Sequence, residues 1–217
     1  MINQQPPKAP HDEVVIDAAC AYLLRAITAG PGERITKVLR DLLSGEIPVS
    51  GAGRLHEAAA SVRRDMANRW ARGASWVGSE REYDALGAAL KQADIDLVLL
   101  QWVADATAGR PAFRGLKASA PGGTVAWQVA VTVADRAFVW DAPDAFPGPR
   151  EACLAATEAR RLWLEGQERH LAEAPWREVA RKPGPGGVHA DLGGPAIPSD
   201  MFLGHRRQPD MQGVRFG

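Results

Sequence analysis

The chain of 217 residues is long enough to bury a sizeable core without disulfides or a structural metal. Its 26 basic residues balance 26 acidic ones, which excludes a global field steering it to nucleic acid or anionic lipid. Two cysteines, Cys20 and Cys153, cannot make a zinc site of the CxxC type and read as reduced core residues.

The first eleven residues contain three prolines and read as a loose segment without the basic end and apolar run of a signal peptide. "DEVVIDAACAYLLRAITAG" then predicts a helix with Val15, Ala19, Tyr22, Leu23 and Ile27 on one face. "ERITKVLRDLLSG" predicts a shorter amphipathic helix, with Ile35, Val38, Leu39, Leu42 and Leu43 as its stripe and Gly45 as its stop. A third helix runs to about Gly73 along the seam Leu55, Ala59, Val62, Met66 and Trp70.

Ser79 and Glu82 stand at capping-box spacing and open a helix that closes by Gly109 and Pro111. Gly87 and the Asp94/Asp96 pair weaken its middle, so a break near Asp94 is expected. Its most apolar window, Ile95 to Val103, falls short of the ~18 residues a membrane span needs. A cytoplasmic protein, or one assembled in the cytoplasm into a larger particle, is expected.

Residues 124–141 are ambiguous. Val125, Trp127, Val129, Val131 and Val133 alternate as in a half-buried strand, which a turn at Ala134 and Asp135 would pair with Arg136 to Asp141. That turn lacks glycine or asparagine, so a helix through the same residues competes. A last helix opens near Pro149 and ends before Pro175.

The fold expected is mainly α: a bundle of about five to six helices with a possible β-hairpin near 124–141. The organisation expected is a flexible segment 1–11, a helical body 12–180 and an extended Gly/Pro-rich arm 181–217. The arm holds eight glycines and five prolines, yet keeps Ile197, Met201, Phe202, Leu203, Met211, Val214 and Phe216. A disordered linker would be poorer in large apolar groups. Anchors spaced by glycine and proline suit an extended chain laid along a surface, its side chains dropping into separate pockets.

Catalytic patterns fail one by one. Gly51 and Gly53 precede a helix as in a dinucleotide-binding turn, but the third glycine and the leading strand are missing. The glycine after Ser75 is one place too late for a nucleophile elbow. None of the five histidines has zinc-helix spacing, and Asp94/Asp96 and Glu80/Glu82 fall on different sides of a helix. No enzyme, cofactor or metal is expected.

Two binding roles remain. The first is a structural component that docks into a larger protein complex as a homo- or hetero-oligomer, a ring or virus-particle connector among the assemblies it would suit. Ile197, Met201, Phe202, Leu203, Met211 and Phe216 would contact its partners. The second is a nucleic-acid-binding accessory protein using Arg63, Arg64, Arg69 and Arg72 of the third helix with Arg206 and Arg207 of the arm, since the planar guanidinium suits phosphate. The same arginines are equally available for ion pairs with the acidic helix that follows.

Overall fold

The computed structural model describes residues 10–25, 30–119, 123–133, 136–140, 146–166 and 176–179. The chain divides into two compact units, Met1–Ala104 and Asp105–Gly217. Among the described residues it is mainly helical, with six α-helices and one antiparallel sheet of four strands.

The first unit holds α1 (Pro10–Leu24), α2 (Pro31–Ser44), a 3-10 turn (Val49–Gly51), α3 (Ala52–Ala71), the single turn α4 (Ala74–Val77) and α5 (Glu80–Thr107), whose last three residues belong to the second unit. Its core holds most of the predicted stripes: Ile35, Val38, Leu39 and Leu42 of α2 pack with Leu55, Ala59, Val62 and Met66 of α3, whereas Leu43, also expected on the α2 stripe, is exposed one position past the buried face. Gly45 ends α2 in the left-handed region, at φ 84°, as the sequence signals. On α1 the buried residues are Ile16 and Leu23, one turn-pair apart, whereas Tyr22 points outward with Arg34 and Lys37 near its ring. Ile16 fills the space above Gly51, where a Cβ would come within 2.6 Å of it. Ile27 and the turn after α1 lie outside the described residues.

α5 runs unbroken for 28 residues, correcting the expected interruption near Asp94. Asp94 and Asp96 disfavour a helix when their carboxylates compete for backbone amides. Here Asp94 accepts from Arg63 of α3, and Asp96 is held by Thr36 of α2 and Gln92 of α5. Gly87, the other weak point, makes room for a neighbour, since a Cβ there would lie 3.1 Å from the Trp70 indole nitrogen. The predicted cap is present: the Glu82 amide donates to the Ser79 hydroxyl at 3.3 Å. Gly109, at φ 68°, follows the last turn, where the Arg110 amide donates to the Asp105 carbonyl.

The second unit is a sheet in the order β1 (Ala112–Ser119), β2 (Val125–Val133), β3 (Arg136–Trp140), β4 (Trp176–Val179), every neighbour antiparallel, with α6 (Pro149–Leu164) packed on β1 and β2. The 124–141 segment is therefore the hairpin, with Val133 paired to Arg136; its two turn residues lie outside the described residues. The outer strands β1 and β4 were not foreseen. The predicted alternation of β2 is only half of what happens. Val129, Val131 and Val133 are buried on one face, but Gln128, Ala130 and Thr132 are buried on the other. α6 buries the small side chains Ala152, Cys153 and Ala156, the first two directly over Gly115.

Gly115 should tolerate nothing larger, because a Cβ would sit 2.9 Å from Cys153 Sγ and 3.0 Å from the Cys153 backbone nitrogen. Gly53, in the first turn of α3, has no atom within 4 Å of its would-be Cβ. Calorimetry of the two alanine variants should therefore give opposite signs. Gly115→Ala should lose about 1–3 kcal/mol through overpacking, and Gly53→Ala should gain about 0.5–1 kcal/mol through lower unfolded-state entropy. Equal effects would mean that α6 does not press on β1 as described.

Candidate functional site

The arm anchors Ile197, Met201, Phe202, Leu203, Met211 and Phe216, with Arg206 and Arg207, all lie outside the described residues. The arginines of α3 are described, and they do not form one phosphate-facing row. Arg54 bonds Glu13 at 2.9 Å and also Asp17, both on α1. Arg63 places two guanidinium nitrogens 3.0 Å from Asp94 Oδ1 on α5. The Arg72 guanidinium lies 4.3 Å from the centroid of the Trp76 ring. Arg64 is exposed and Arg69 is half-buried.

What the fold brings together instead is aromatic. Trp70, expected in the core as the last residue of the α3 seam, is 42% exposed. The seam ends at Met66, and Trp70 turns outward to stack on Tyr83 of α5, with ring centroids 5.4 Å apart and planes within 6°. Gly87, one turn beyond Tyr83, receives the indole edge. After α3, Gly73 takes φ 89° and starts α4, which carries Trp76 at 52% exposure with Arg72 lying over it. The glycine is needed there because L side chains avoid that φ. The result is two aromatic pairings near the end of α3, Trp70 on Tyr83 and Trp76 under Arg72.

The other tryptophans divide between roles. Trp163 and Trp176 are buried, Trp102 is half-buried against the helical core, and Trp140 meets Trp176 with centroids 6.4 Å apart. The sequence hinted at a tryptophan surface only through the skewed aromatic set, seven tryptophans against two tyrosines.

The titratable groups inside the fold are structural in their contacts. Asp105 is fully buried and meets Arg160 through both carboxylate oxygens, at 2.6 and 3.2 Å, and Arg110 at 3.1 Å. Burial pushes the Cys20 thiol up, away from the thiolate character of a nucleophile. Burial also raises the Asp96 carboxyl above its usual range, against the lowering effect of its bonds to Thr36 and Gln92. Thr36 Oγ1 lies 2.7 Å from Asp96 Oδ2 and 2.9 Å from the Gly32 carbonyl oxygen. A hydroxyl has one proton, so the Thr36 hydroxyl divides it between the Asp96 carboxyl and the Gly32 carbonyl, which weakens the relief that it gives the buried carboxylate. Among the described residues no group of His, Cys, Asp and Glu is placed to hold a metal ion, and no helix is long and apolar enough to cross a membrane.

Compared with known proteins, the chain matches no family model, no curated protein and no solved structure.

Two measurements follow from these contacts. Arg63→Gln removes the ion pair to the half-buried Asp94 and should lower stability by about 1–3 kcal/mol, whereas Arg64→Gln should stay within about 0.5 kcal/mol of the parent. If the two arginines instead contributed alike to low-salt DNA or RNA binding and not to melting, α3 would be a nucleic-acid helix. For Asp96, the folded chain holds the proton more tightly than the unfolded one. Stability should therefore fall as pH rises from the usual carboxylate range to the raised value and stay lower above it. Asp96→Asn, neutral throughout, should melt higher than the parent at neutral pH, with the gap closing toward about pH 4. A constant gap would mean that burial does not raise the Asp96 carboxyl in the folded chain.

Proposed function

We propose that the chain is a non-enzymatic assembly component that joins a larger protein complex, using its helical unit as the docking body and residues 181–217 as an arm. The observation that supports this reading is the exposure of two tryptophans in the helical unit, Trp70 stacked on Tyr83 and Trp76 beneath Arg72. Tryptophan, tyrosine and arginine are the residues that dominate protein–protein contact centres, because they bury large areas with few rotatable bonds.

Charge favours a protein partner over a polyanion. From Arg63 to Asp84 five arginines face four acidic residues, and two of the five, Arg63 and Arg72, are already occupied by Asp94 and Trp76. A phosphate-tracking surface needs a clear local excess of positive charge. The acidic residues here supply the mixed rim of a protein interface instead.

The test is the mass of the protein in solution across a range of concentrations, for the full chain and for a chain ending at Ala180. The last described strand ends at Val179, so the shortened chain keeps every described element. It should retain its helical circular dichroism and cooperative melting while losing association. Association indifferent to the truncation would remove the arm from this reading, and a full chain that stays monomeric throughout would remove self-assembly.

A further inference from the structure

We infer that Thr36 of α2 and Asp96 of α5 form a proton-controlled latch, in which protonation of Asp96 holds the first turns of α2 against α5 and ionisation releases them. The start of α2 is weakly secured on its own. Its N-cap is Gly30, at φ 57°, and no side chain caps the free amides of the first turn. Besides the buried Ile35, contact with α5 fastens it. Gly32 rests on Ala89, where a Cβ would come within 3.1 Å, and one turn later the Thr36 hydroxyl meets Asp96 Oδ2 at 2.7 Å.

Asp96 is 1% exposed, and its partners Thr36 and Gln92 are both neutral. The charged groups of the neighbouring helices are engaged elsewhere or lie in solvent. Arg63 of α3 meets Asp94, Arg34 of α2 lies over Tyr22, Lys37 pairs with Asp41, and Glu33, Arg40 and Lys91 are exposed. A carboxylate buried without a cation is costly, so the closed helix pair keeps the proton. With the first turns of α2 lifted, water reaches Asp96 and its carboxyl returns to the ordinary range. Acid therefore favours closing. As pH rises from the ordinary range toward the raised value, opening gains up to about tenfold per pH unit, and above that value it is constant. Helix ends open at the lowest local cost, and Gly30 supplies the turn on which this one can move.

Amide hydrogen exchange of the full chain, corrected for its intrinsic dependence on pH, tests the latch at Ile35, Thr36 and Lys37. These amides should exchange through a local opening that is nearly insensitive to low denaturant and that grows with pH before levelling off. Met66 of α3, in the core, should instead show the steep denaturant dependence of global unfolding. Asp96→Asn should abolish the pH dependence of the local opening. Thr36→Val should raise that opening in acid by about fivefold, the worth of one hydrogen bond. A denaturant dependence at Thr36 equal to that at Met66 would make the opening global and overturn the latch. So would a corrected opening that ignores pH in the parent, or one that still follows pH in Asp96→Asn. Should Asp96→Asn fail to fold, the Asp96 carboxyl carbon of the parent, followed by NMR, decides. Titration above the ordinary carboxylate range supports the latch, and titration within that range overturns it.

Discussion

α5 can run through the first unit only if every polar group on its inner side finds a partner on another helix. A carboxylate left alone in a low-dielectric interior costs several kcal/mol, more than the propensity of any single residue. Asp94 is met by Arg63 of α3, and Asp96 by Thr36 of α2 together with Gln92 one turn away. These contacts also fix the neighbours. Thr36 sits one turn after Gly32, whose missing side chain lets α2 approach Ala89 of α5, where a Cβ would come within 3.1 Å. The contacts that relieve the two aspartates are thus the contacts that set the position of α2 and α3 on α5, and the apolar stripes fill what remains.

The second unit is governed by a packing constraint of another kind. α6 lies on β1 with its backbone close enough that only glycine fits beneath it, at Gly115. Small side chains on α6 make that approach possible, and the large ones of the sheet, Phe113, Val129, Val131 and Phe138, occupy the space around it. Asp105 ties the start of this unit to α6 by accepting from Arg160 through both oxygens. The Coulomb gain of such a pair is largely offset by desolvation, so it adds little net stability while removal of either partner is costly.

How much of this was legible depended on whether the signal was local. The stripes of α2 and α3 as far as Leu42 and Met66, the Ser79 cap, the Gly45 stop and the start of α6 at Pro149 are carried by residues a few places apart, and the structure follows them. The continuity of α5 was hidden, since Asp94 and Asp96 look like helix breakers until their partners 31 and 60 residues away are known. β1 was hidden for the same reason: Gly115 and Lys117 spoil its alternation, and only the crossing of α6 explains the glycine. Trp70 was misplaced because it continues the 3.6-residue period of a core stripe, and period alone does not say where the neighbouring helices stop. The arginines of α3 looked like a patch in sequence, but two of them are used within the first unit as ion-pair partners.

The outward turn of Trp70 is the feature that packing alone does not explain. Exposing roughly half of an indole forgoes about 2–3 kcal/mol of burial per ring, from areas of ~200 Å² at ~25 cal/mol per Å². Nor are the rings loose: Tyr83 and Gly87 hold one, and Arg72 covers the other. Their ordering cost is met before any partner arrives, which is what preorganisation contributes to affinity. The two rings together would return about 5 kcal/mol on being covered, near the lower end of the ~4–15 kcal/mol lost when two bodies associate. In the proposed role, then, the aromatic surface is too small to hold a complex on its own. It needs a partner that adds apolar anchors of its own, which Met201, Phe202 and Leu203 of the arm would supply in the proposed assembly.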